Sequence, residues 1–377
     1  MAIRLAVGGG IENNGGTVTI NQSAFIGNYA GDGGAIYTSG GTVTINNSAL
    51  TNNLASYGGG GIKTENGATL LLNDTTLTHN RTLIEAIGFG GGILNTESTA
   101  TINHSTLVSN TATTSGGGIA SYEGILIVEN STLSGNVAIY RGGAMLIDYS
   151  NDVTLQHSTI VDNVADDGDS ISISGAAVSF TIANSIIISA DQGVNCQGSS
   201  FTSLGYNLSD DASCNLTHPT DLQNTDPLLG PLADNGGATL THALLPGSLA
   251  IDSGDNVNCP ATDQRGVPRP QGAGCDRGAV EAVDIASRLD YAYVMNDGSA
   301  GQGRYTLFAG GSFLDEASGG GSWGAPAPDK LWLAYNAGYA CDALLLGSIS
   351  LPDQVRGLRL CRDGSGARGV WQATVPD

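Results

Sequence analysis

Short runs of alternating apolar and polar residues recur along the first half of the chain, each between clusters of glycine and asparagine. "GGGIENNGGTVTINQSAFIGNYA" begins at Gly8, and related text returns at Gly33 and Gly59. The apolar residue after each glycine cluster recurs at intervals of 25, 26, 31, 26, 26 and 26 residues. These positions are Ile11, Ile36, Ile62, Ile93, Ile119, Met145 and Ile171. A fixed period of this size is typical of repeat architectures.

Two polar columns keep the same register. One is a Ser or Thr at Ser23, Ser48, Thr75, Ser105, Ser131, Ser158 and Ser185. The other is an Asn at Asn28, Asn53, Asn80, Asn110, Asn136 and Asn163, and the seventh copy has Ala190 in that place. Three markers in register over seven copies predict one repeated structural unit.

The repeated unit predicts one coil of a parallel β-helix. Runs such as "TVTI" and "SAFI" are too short for helices, and their residue types favour strands. Gly and Asn between them supply the positive backbone angles that corners need. We therefore expect three short strands and three corners per coil, with coils stacked about 4.8 Å apart. The extra residues "LIEAIGF" between Ile62 and Ile93 predict a loop at one corner.

Stacking gives the Asn column a structural role. A buried amide without a partner costs roughly 1–3 kcal/mol, so these side chains should bond from coil to coil. We expect the column Asn28 to Asn163 to face the interior at a corner, beside an apolar stack of the marker residues.

The charge of the chain excludes some partners. The formal charge is −21, and residues 1–264 hold 23 acids against four bases. This argues against nucleic acid or an anionic membrane as a partner, and it is compatible with cations, neutral polysaccharide or a basic protein surface. No stretch approaches transmembrane length and no signal peptide is visible. Because the chain begins inside a repeat, we expect an upstream part to be missing or the start to be misassigned.

Six cysteines fall into three sequence-local pairs outside the regular repeats. They favour disulfides and an oxidising compartment, and no CxxC spacing indicates a metal site. Connectivity stays open, since six cysteines allow 15 pairings. The pairs are Cys196 with Cys214, Cys259 with Cys275, and Cys341 with Cys361.

The text after the repeats changes character. "PGSLAIDSGD", "DQRGVPRP" and "CDRGAVE" occur between residues 226 and 284. With the preceding coils, this block resembles bacterial surface proteins in which a right-handed, pectin-lyase-like β-helix is followed by a choice-of-anchor Q region. The resemblance implies an exported, surface-associated protein. It divides this part of the chain into a β-helix over 1–225 and its choice-of-anchor-Q-like end over 226–284.

Residues 285–377 differ again. All three tryptophans are here, and runs such as "DKLWLAYN" and "RGVWQATV" alternate with turn signals. We predict a small antiparallel β-domain, either a sandwich or a barrel. The predicted fold is therefore all-β: a right-handed parallel β-helix of about seven coils plus this C-terminal domain. Its last strands are basic, with Arg356, Arg359, Arg362 and Arg368.

Candidate chemistry in the rod is sparse. Glycoside hydrolases need a carboxylate pair at one bond, and lyases need a base, usually with Ca²⁺. Glu65, Glu97, Glu123 and Asp148 follow the markers of four coils and could stack into an acidic stripe. Glu97 and Glu123 are the candidate catalytic residues. The candidate Ca²⁺ ligands, with no other cofactor expected, are Asp162, Asp166, Asp167 and Asp169.

Two classes of function stand. The first is a non-enzymatic extracellular surface protein: an adhesin, a scaffold or a subunit of a head-to-tail filament in which the four arginines contact the acidic rod. The second is a lyase or hydrolase acting on polysaccharide. The first is favoured because stacking explains the patterned residues, and hydrolase-type "GHG" and "RIK" signatures are absent from the sequence.

Overall fold

A computed structural model describes residues 7–84, 87–149, 152–175, 178–189, 193–198 and 201–282, together with the backbone of strands between residues 285 and 374. Contacts divide the chain into two units. One comprises Met1–Arg265 and Gly272–Ala282, and the other comprises Gly266–Gln271 and Val283–Asp377.

The first unit is a parallel β-helix, as the repeat period predicts. Every coil contributes one strand to each of three long parallel sheets, here called A, B and C. Sheet A is formed by Ile11–Asn14, Ile36–Ser39, Ile62–Glu65, Ile93–Thr96, Ile119–Tyr122, Met145–Asp148, Ile171–Ser174 and Cys196–Gln197. Sheet B is formed by Thr17–Asn21, Thr42–Asn46, Thr69–Asn73, Thr99–Asn103, Ile125–Glu129, Asp152–Gln156, Ser179–Ala183 and Phe201–Gly205.

Sheet C completes the three long walls, and it is formed by Ala24–Ile26, Ala49–Thr51, Thr76–Thr78, Thr106–Val108, Thr132–Ser134, Thr159–Asn163, Ile186–Ser189 and Leu208–Ser209. A fourth short sheet, D, differs from the three strands per coil that the sequence predicts. Its strands are Tyr29–Asp32, Leu54–Gly58, Arg81–Thr82, Thr111–Ala112 and Val137–Ala138. The residues after the Asn column are extended and pair from coil to coil. A short parallel sheet therefore stands where the sequence predicts a corner.

The marker residues form the core of the rod. Ile36, Ile62, Ile93 and Ile119 are fully buried and pair in register from coil to coil. The glycines before them allow this close stacking. A Cβ added at Gly60 would lie 2.3 Å from the carbonyl oxygen of Gly91 in the next coil. Any side chain there would therefore push two coils apart.

The Asn column forms a ladder at the corner between sheets C and D. Asn53 Nδ2 donates to Asn80 Oδ1 over 2.8 Å, and Asn80 Nδ2 donates to Asn110 Oδ1 over 2.9 Å. The same bond joins Asn28 to Asn53, Asn110 to Asn136 and Asn136 to Asn163. Each amide from Asn53 onward is fully buried. Since each Nδ2 also donates to a backbone carbonyl of another coil, the ladder ties sheets as well as coils.

Residues 226–265 and 272–282, here called the strap, lie along the outer face of sheet C. They contain one two-stranded antiparallel sheet, Leu229–Ala233 with Thr241–Leu244. Gln264 is the central anchor: its side chain accepts from Thr132 Oγ1 over 2.6 Å and donates to Thr106 Oγ1 over 2.9 Å. The strap therefore covers the later coils of sheet C.

Charged groups and a disulfide stabilise the second half of the strap. Asp263 and Arg265 form an ion pair at 2.6 Å, almost fully buried. Further along, Arg277 donates to the carbonyl of Asn207 over 2.7 Å. The disulfide Cys259–Cys275 closes the strap on itself, and Cys196–Cys214 closes the last coil.

The second unit contains a closed antiparallel barrel. Its strands are Ile285–Met295, Ala300–Phe308, Ser312–Asp315, Gly319–Ala327, Lys330–Tyr335, Ala343–Leu351, Gln354–Cys361 and Arg368–Thr374. The first strand pairs with both the second and the last, which closes the sheet. Throughout the described part of the chain, no helix has the length and apolar character needed to cross a bilayer.

Candidate functional site

The candidate site is a groove of about 480 Å³ on the outer face of sheet A, in the fourth to seventh coils. Along each strand of this sheet, the first and third residues face the core, and the second and fourth face outward. The groove is lined by Phe89, Thr114, Ser115, Tyr122, Tyr140, Arg141, Leu146, Asp148, Tyr149 and Ser174. Four coils and the corners before their sheet A strands therefore build one surface.

The floor of the groove is apolar. Leu94, Ala120 and Leu146 occupy the second strand position in successive coils and form a small buried cluster outside the main core. Phe89 and Tyr122 pack against this cluster while keeping partial exposure. This cluster lies on the outer face of the sheet, where its apolar surface would otherwise contact water. The rings of Phe89 and Tyr122 cover it.

The aromatic rings are held in fixed relative positions. Phe89 and Tyr122 meet edge to face, with ring centroids 5.6 Å apart and planes at 83°. Tyr122 and Tyr149 lie 6.3 Å apart at 41°. Tyr140 and Tyr149 are 50% and 55% exposed, so they offer most of the free ring surface. Such rings provide a flat apolar face together with a hydrogen-bonding hydroxyl.

Two charged side chains, Arg141 and Asp148, line part of the groove. Arg141 pairs with Asp167 of the next coil at 3.5 Å, and both side chains are exposed. Asp148 follows Tyr122 in register in the next coil. Burial, reinforced by the charge of Asp148, raises the pKa of Tyr122, so this phenol stays protonated and can donate a hydrogen bond. Asp148 is the only carboxylate among the described lining residues.

A polar cluster lies on the same face of sheet A, in the second and third coils. Lys63 Nζ lies 2.9 Å from Glu65 and 3.3 Å from Asp32. Tyr37 Oη donates to Glu65 over 2.5 Å. Burial and this hydrogen bond raise the pKa of Tyr37 to about 12. Against the effect of its burial, the bonds from Tyr37 and Lys63 hold the pKa of Glu65 below its usual value. These side chains satisfy one another's charges and hydrogen bonds, and they link neighbouring coils.

The acidic stripe predicted from the sequence divides into two columns. Glu65 and Asp148 end strands of sheet A, with Thr96 and Tyr122 between them in the same column. Glu97 and Glu123 lie one residue further on, at positive φ of 47° and 51°, and both are exposed. Glu97 and Glu123 thus occupy corner positions outside the lining of the groove.

The four candidate Ca²⁺ ligands point to different partners. Asp162 and Asp166 are exposed, and Asp167 pairs with Arg141. Asp169 is buried and accepts from the backbone N–H of Ala165 over 2.9 Å. Within the described ranges, no group of three or more His, Cys, Asp or Glu side chains is arranged to hold a metal ion.

The remaining predicted residues divide between described and undescribed parts. Two of the three local cysteine pairs form disulfides, whereas the side chains of Cys341 and Cys361 lie outside the described residues. So do those of the four arginines, Arg356, Arg359, Arg362 and Arg368. His157 is buried under the strap, with Nε2 3.1 Å from the carbonyl oxygen of Asn258.

Sequence reasoning missed the aromatic residues of the groove. Tyr122 replaces the small or acidic residue found at the same strand position in other coils. Phe89 and Tyr140 precede their marker residues by four and five places, and Tyr57 precedes Ile62 by five. This recurrence of aromatics just before the glycine cluster is the signal that could have indicated the groove.

Comparison with known proteins supports the fold. Residues 36–209 match the family described as "Right handed beta helix region", and they cover the rod from its second coil to the last strand of sheet C. No curated protein and no solved structure matched the chain. The matched segment includes every described strand that contributes to the groove on sheet A.

Proposed function

We propose that this protein is a non-enzymatic extracellular surface protein that binds polysaccharide in the groove on sheet A. The observation that carries the proposal is the lining of that groove: exposed tyrosines on an apolar floor, with a single carboxylate. A pyranose ring has an apolar C–H face and an equatorial rim of hydroxyls. The tyrosine rings suit the face, and Arg141, Asp148 and the tyrosine hydroxyls suit the rim.

Two further features support a binding role outside the cell. The two disulfides fit an oxidising compartment. The groove is open and runs across neighbouring coils, so it suits one segment of a long polymer. A neutral or cationic glycan is favoured, because the rod carries a large negative charge that would repel a polyanion.

The alternative, a lyase or hydrolase, needs more groups than the groove provides. Canonical glycoside hydrolysis uses two carboxyl groups placed on either side of the scissile bond. The described lining offers Asp148 alone, and Arg141 is engaged with Asp167. We therefore propose that pectin, polygalacturonate, alginate and chondroitin are not turned over, with or without Ca²⁺.

Affinity electrophoresis against a panel of neutral, cationic and anionic polysaccharides tests this function. Tyr140→Ala and Tyr149→Ala should each weaken binding about two- to tenfold, the loss expected for one aromatic contact. Tyr29→Ala is the matched control, because Tyr29 is 51% exposed and lies outside the groove.

Two results would contradict the proposal. One is equal weakening by Tyr29→Ala, which would show that any exposed tyrosine contributes. The other is release of unsaturated uronides or reducing ends that disappears in Asp148→Asn, or in Glu97→Gln with Glu123→Gln. That result would make the protein an enzyme.

We further propose that the chain assembles head to tail, with the arginine-rich strands of the barrel contacting the acidic rod of another copy. The charge contrast between these parts of the sequence supports it. Light scattering should give a mass that falls to that of a monomer when Arg356, Arg359 and Arg362 are changed to Glu. A monomer at high concentration in the unchanged protein would refute it.

A further inference from the structure

Sheet B carries a regular array of hydroxyl and amide side chains in its first four coils. Twelve outward positions form three files of four, and each file runs along the rod in strand register. The first file is Thr17, Thr42, Thr69 and Thr99; the second is Thr19, Thr44, Leu71 and Thr101; the third is Asn21, Asn46, Asn73 and Asn103. Eleven of the twelve are therefore Thr or Asn, and we call this surface the sheet B array.

The geometry of the sheet B array follows from parallel in-register pairing. Neighbours in a file lie about 4.8 Å apart, and successive outward residues along a strand lie about 6.7 Å apart. Threonine is β-branched, so its side chain has few rotamers and its hydroxyl and methyl groups stay in place. Three of the four strands have Thr, Thr and Asn in the outward positions and the third has Leu71 in the middle one, so the side chains form a two-dimensional grid rather than a scattered polar surface.

The asparagine file holds one edge of the grid rigid. Asn46 Nδ2 donates to Asn21 Oδ1 over 2.8 Å, and Asn73 Nδ2 donates to Asn46 Oδ1 over 2.8 Å. Asn103 continues the file with a bond of 3.3 Å to Asn73. Unlike the buried ladder, these amides are partly or fully exposed. Their bonds fix the positions of the amides on the outer surface of the sheet.

The array is free of charge in a strongly acidic protein. None of its twelve residues is ionisable, although the chain has 35 acids. Beyond the fourth coil the files lose this uniformity: the fifth coil has Ile125, Ile127 and Glu129 in these positions, and the sixth begins with Asp152. Thr17, Thr19 and Thr69 are exposed, and the strap covers sheet C rather than sheet B. The neutral grid thus faces solvent.

We propose that the sheet B array binds ordered water at the surface of ice. Each threonine offers a hydroxyl that can hydrogen-bond a water molecule, and beside it a methyl group over which water orders. Waters held at such a grid repeat at distances comparable with the oxygen spacings of ice. They can therefore join a growing crystal face. A charged side chain would orient its own hydration shell and break this lattice, which explains why the array is neutral.

Ice recrystallisation and thermal hysteresis of the full-length protein test this proposal. Thr44→Lys places a charge at the centre of the array and should abolish both effects. Thr154→Lys is the matched control: it changes the same file in the sixth coil, outside the array, and should leave them intact. Leu71→Thr completes the second file and should strengthen the effects. Thermal melting of each variant separates surface changes from unfolding.

Several outcomes would overturn the proposal. They are the absence of any effect of the unchanged protein on ice, equal losses in Thr44→Lys and Thr154→Lys, and a gain in none of the assays from Leu71→Thr. Sedimentation with chitin or cellulose particles distinguishes another flat surface. Binding to such particles that is lost in Thr44→Lys, without activity on ice, would assign the array to crystalline polysaccharide instead.

Discussion

The inside of the rod and the surface under the strap are held by hydrogen bonds of opposite kinds. In the Asn ladder, one bond is repeated from the first to the sixth coil between residues 25 to 30 positions apart. Under the strap, each bond occurs once and joins distant residues, as between Thr132 and Gln264, 132 positions apart. Repeated bonds stabilise each coil on its neighbour, whereas unique bonds determine which face of the rod is covered.

This difference predicts that strap and ladder mutations fail in different places. Asp263→Ala should have the largest effect, because it leaves the buried Arg265 without its partner, a loss of about 3–5 kcal/mol. We expect hydrogen exchange to rise in the strap and on sheet C, while sheets A and B stay protected. Rapid exchange throughout the rod would show instead that strap and coils unfold as one.

A break in the ladder should act on the coils themselves. Asn110→Ala removes the acceptor of both the backbone N–H and the Nδ2 of Asn80, at about 1–3 kcal/mol for each buried group left unsatisfied. Urea unfolding should therefore shift clearly to lower concentration. Asn73→Ala is the control, because Asn73 makes the same type of bond on the outer surface. Equal shifts for the two variants would remove the distinction between inner and outer ladders.

Acid should loosen the strap more than the coils. Burial lowers the pKa of His242, whose ring contacts Ser134 and the carbonyl of Gly230. A histidine with a folded pKa below its unfolded value of about 6.5 contributes stability above that pH. The contribution is lost as the pH falls, since the unfolded chain takes up the proton first. After correction for the intrinsic pH dependence of amide exchange, strap amides should be less protected at pH 5 than at pH 7.5, and His242→Gln should reduce this difference.

The repeated part of the fold is predictable from the sequence for a physical reason. Ile36, Ile62 and Ile93 perform the same task in each coil, so their spacing shows in the sequence. The fourth sheet is harder to predict, because its strands Arg81–Thr82 and Thr111–Ala112 have only two residues each. The repeat period predicts that the coils stack. The strands of sheet D are too short to be recognised from the local sequence.

The candidate groove could not be predicted in the same way. Phe89, Tyr122 and Tyr140 occupy different positions in different coils, and they meet only because the sheet D corner lies beside sheet A. The register of the repeat indicates Glu97 and Glu123 as candidate catalytic residues, but it groups corner residues with strand residues. Each carboxylate lies one residue beyond the end of its sheet A strand and therefore outside the groove.

The contacts of the strap could not be predicted from the sequence either. Gln264 finds Thr106 and Thr132 through the return of the chain along sheet C, and nothing in the local text of "DQRG" specifies those partners. His157 is buried for the same reason. A repeat pattern reports the residues that all coils have in common. The strap binds residues that differ from coil to coil, so the pattern does not predict its contacts.

Hydrogen-exchange footprinting with the tightest-binding oligosaccharide tests the central claim most directly. We expect added protection at the corner before Phe89, along Ile119–Tyr122 and around Tyr140–Tyr149, with the oligosaccharide recovered uncleaved. Protection confined to sheet B, to the strap or to the barrel would contradict the proposed site. Recovery of shortened products would contradict the non-enzymatic role.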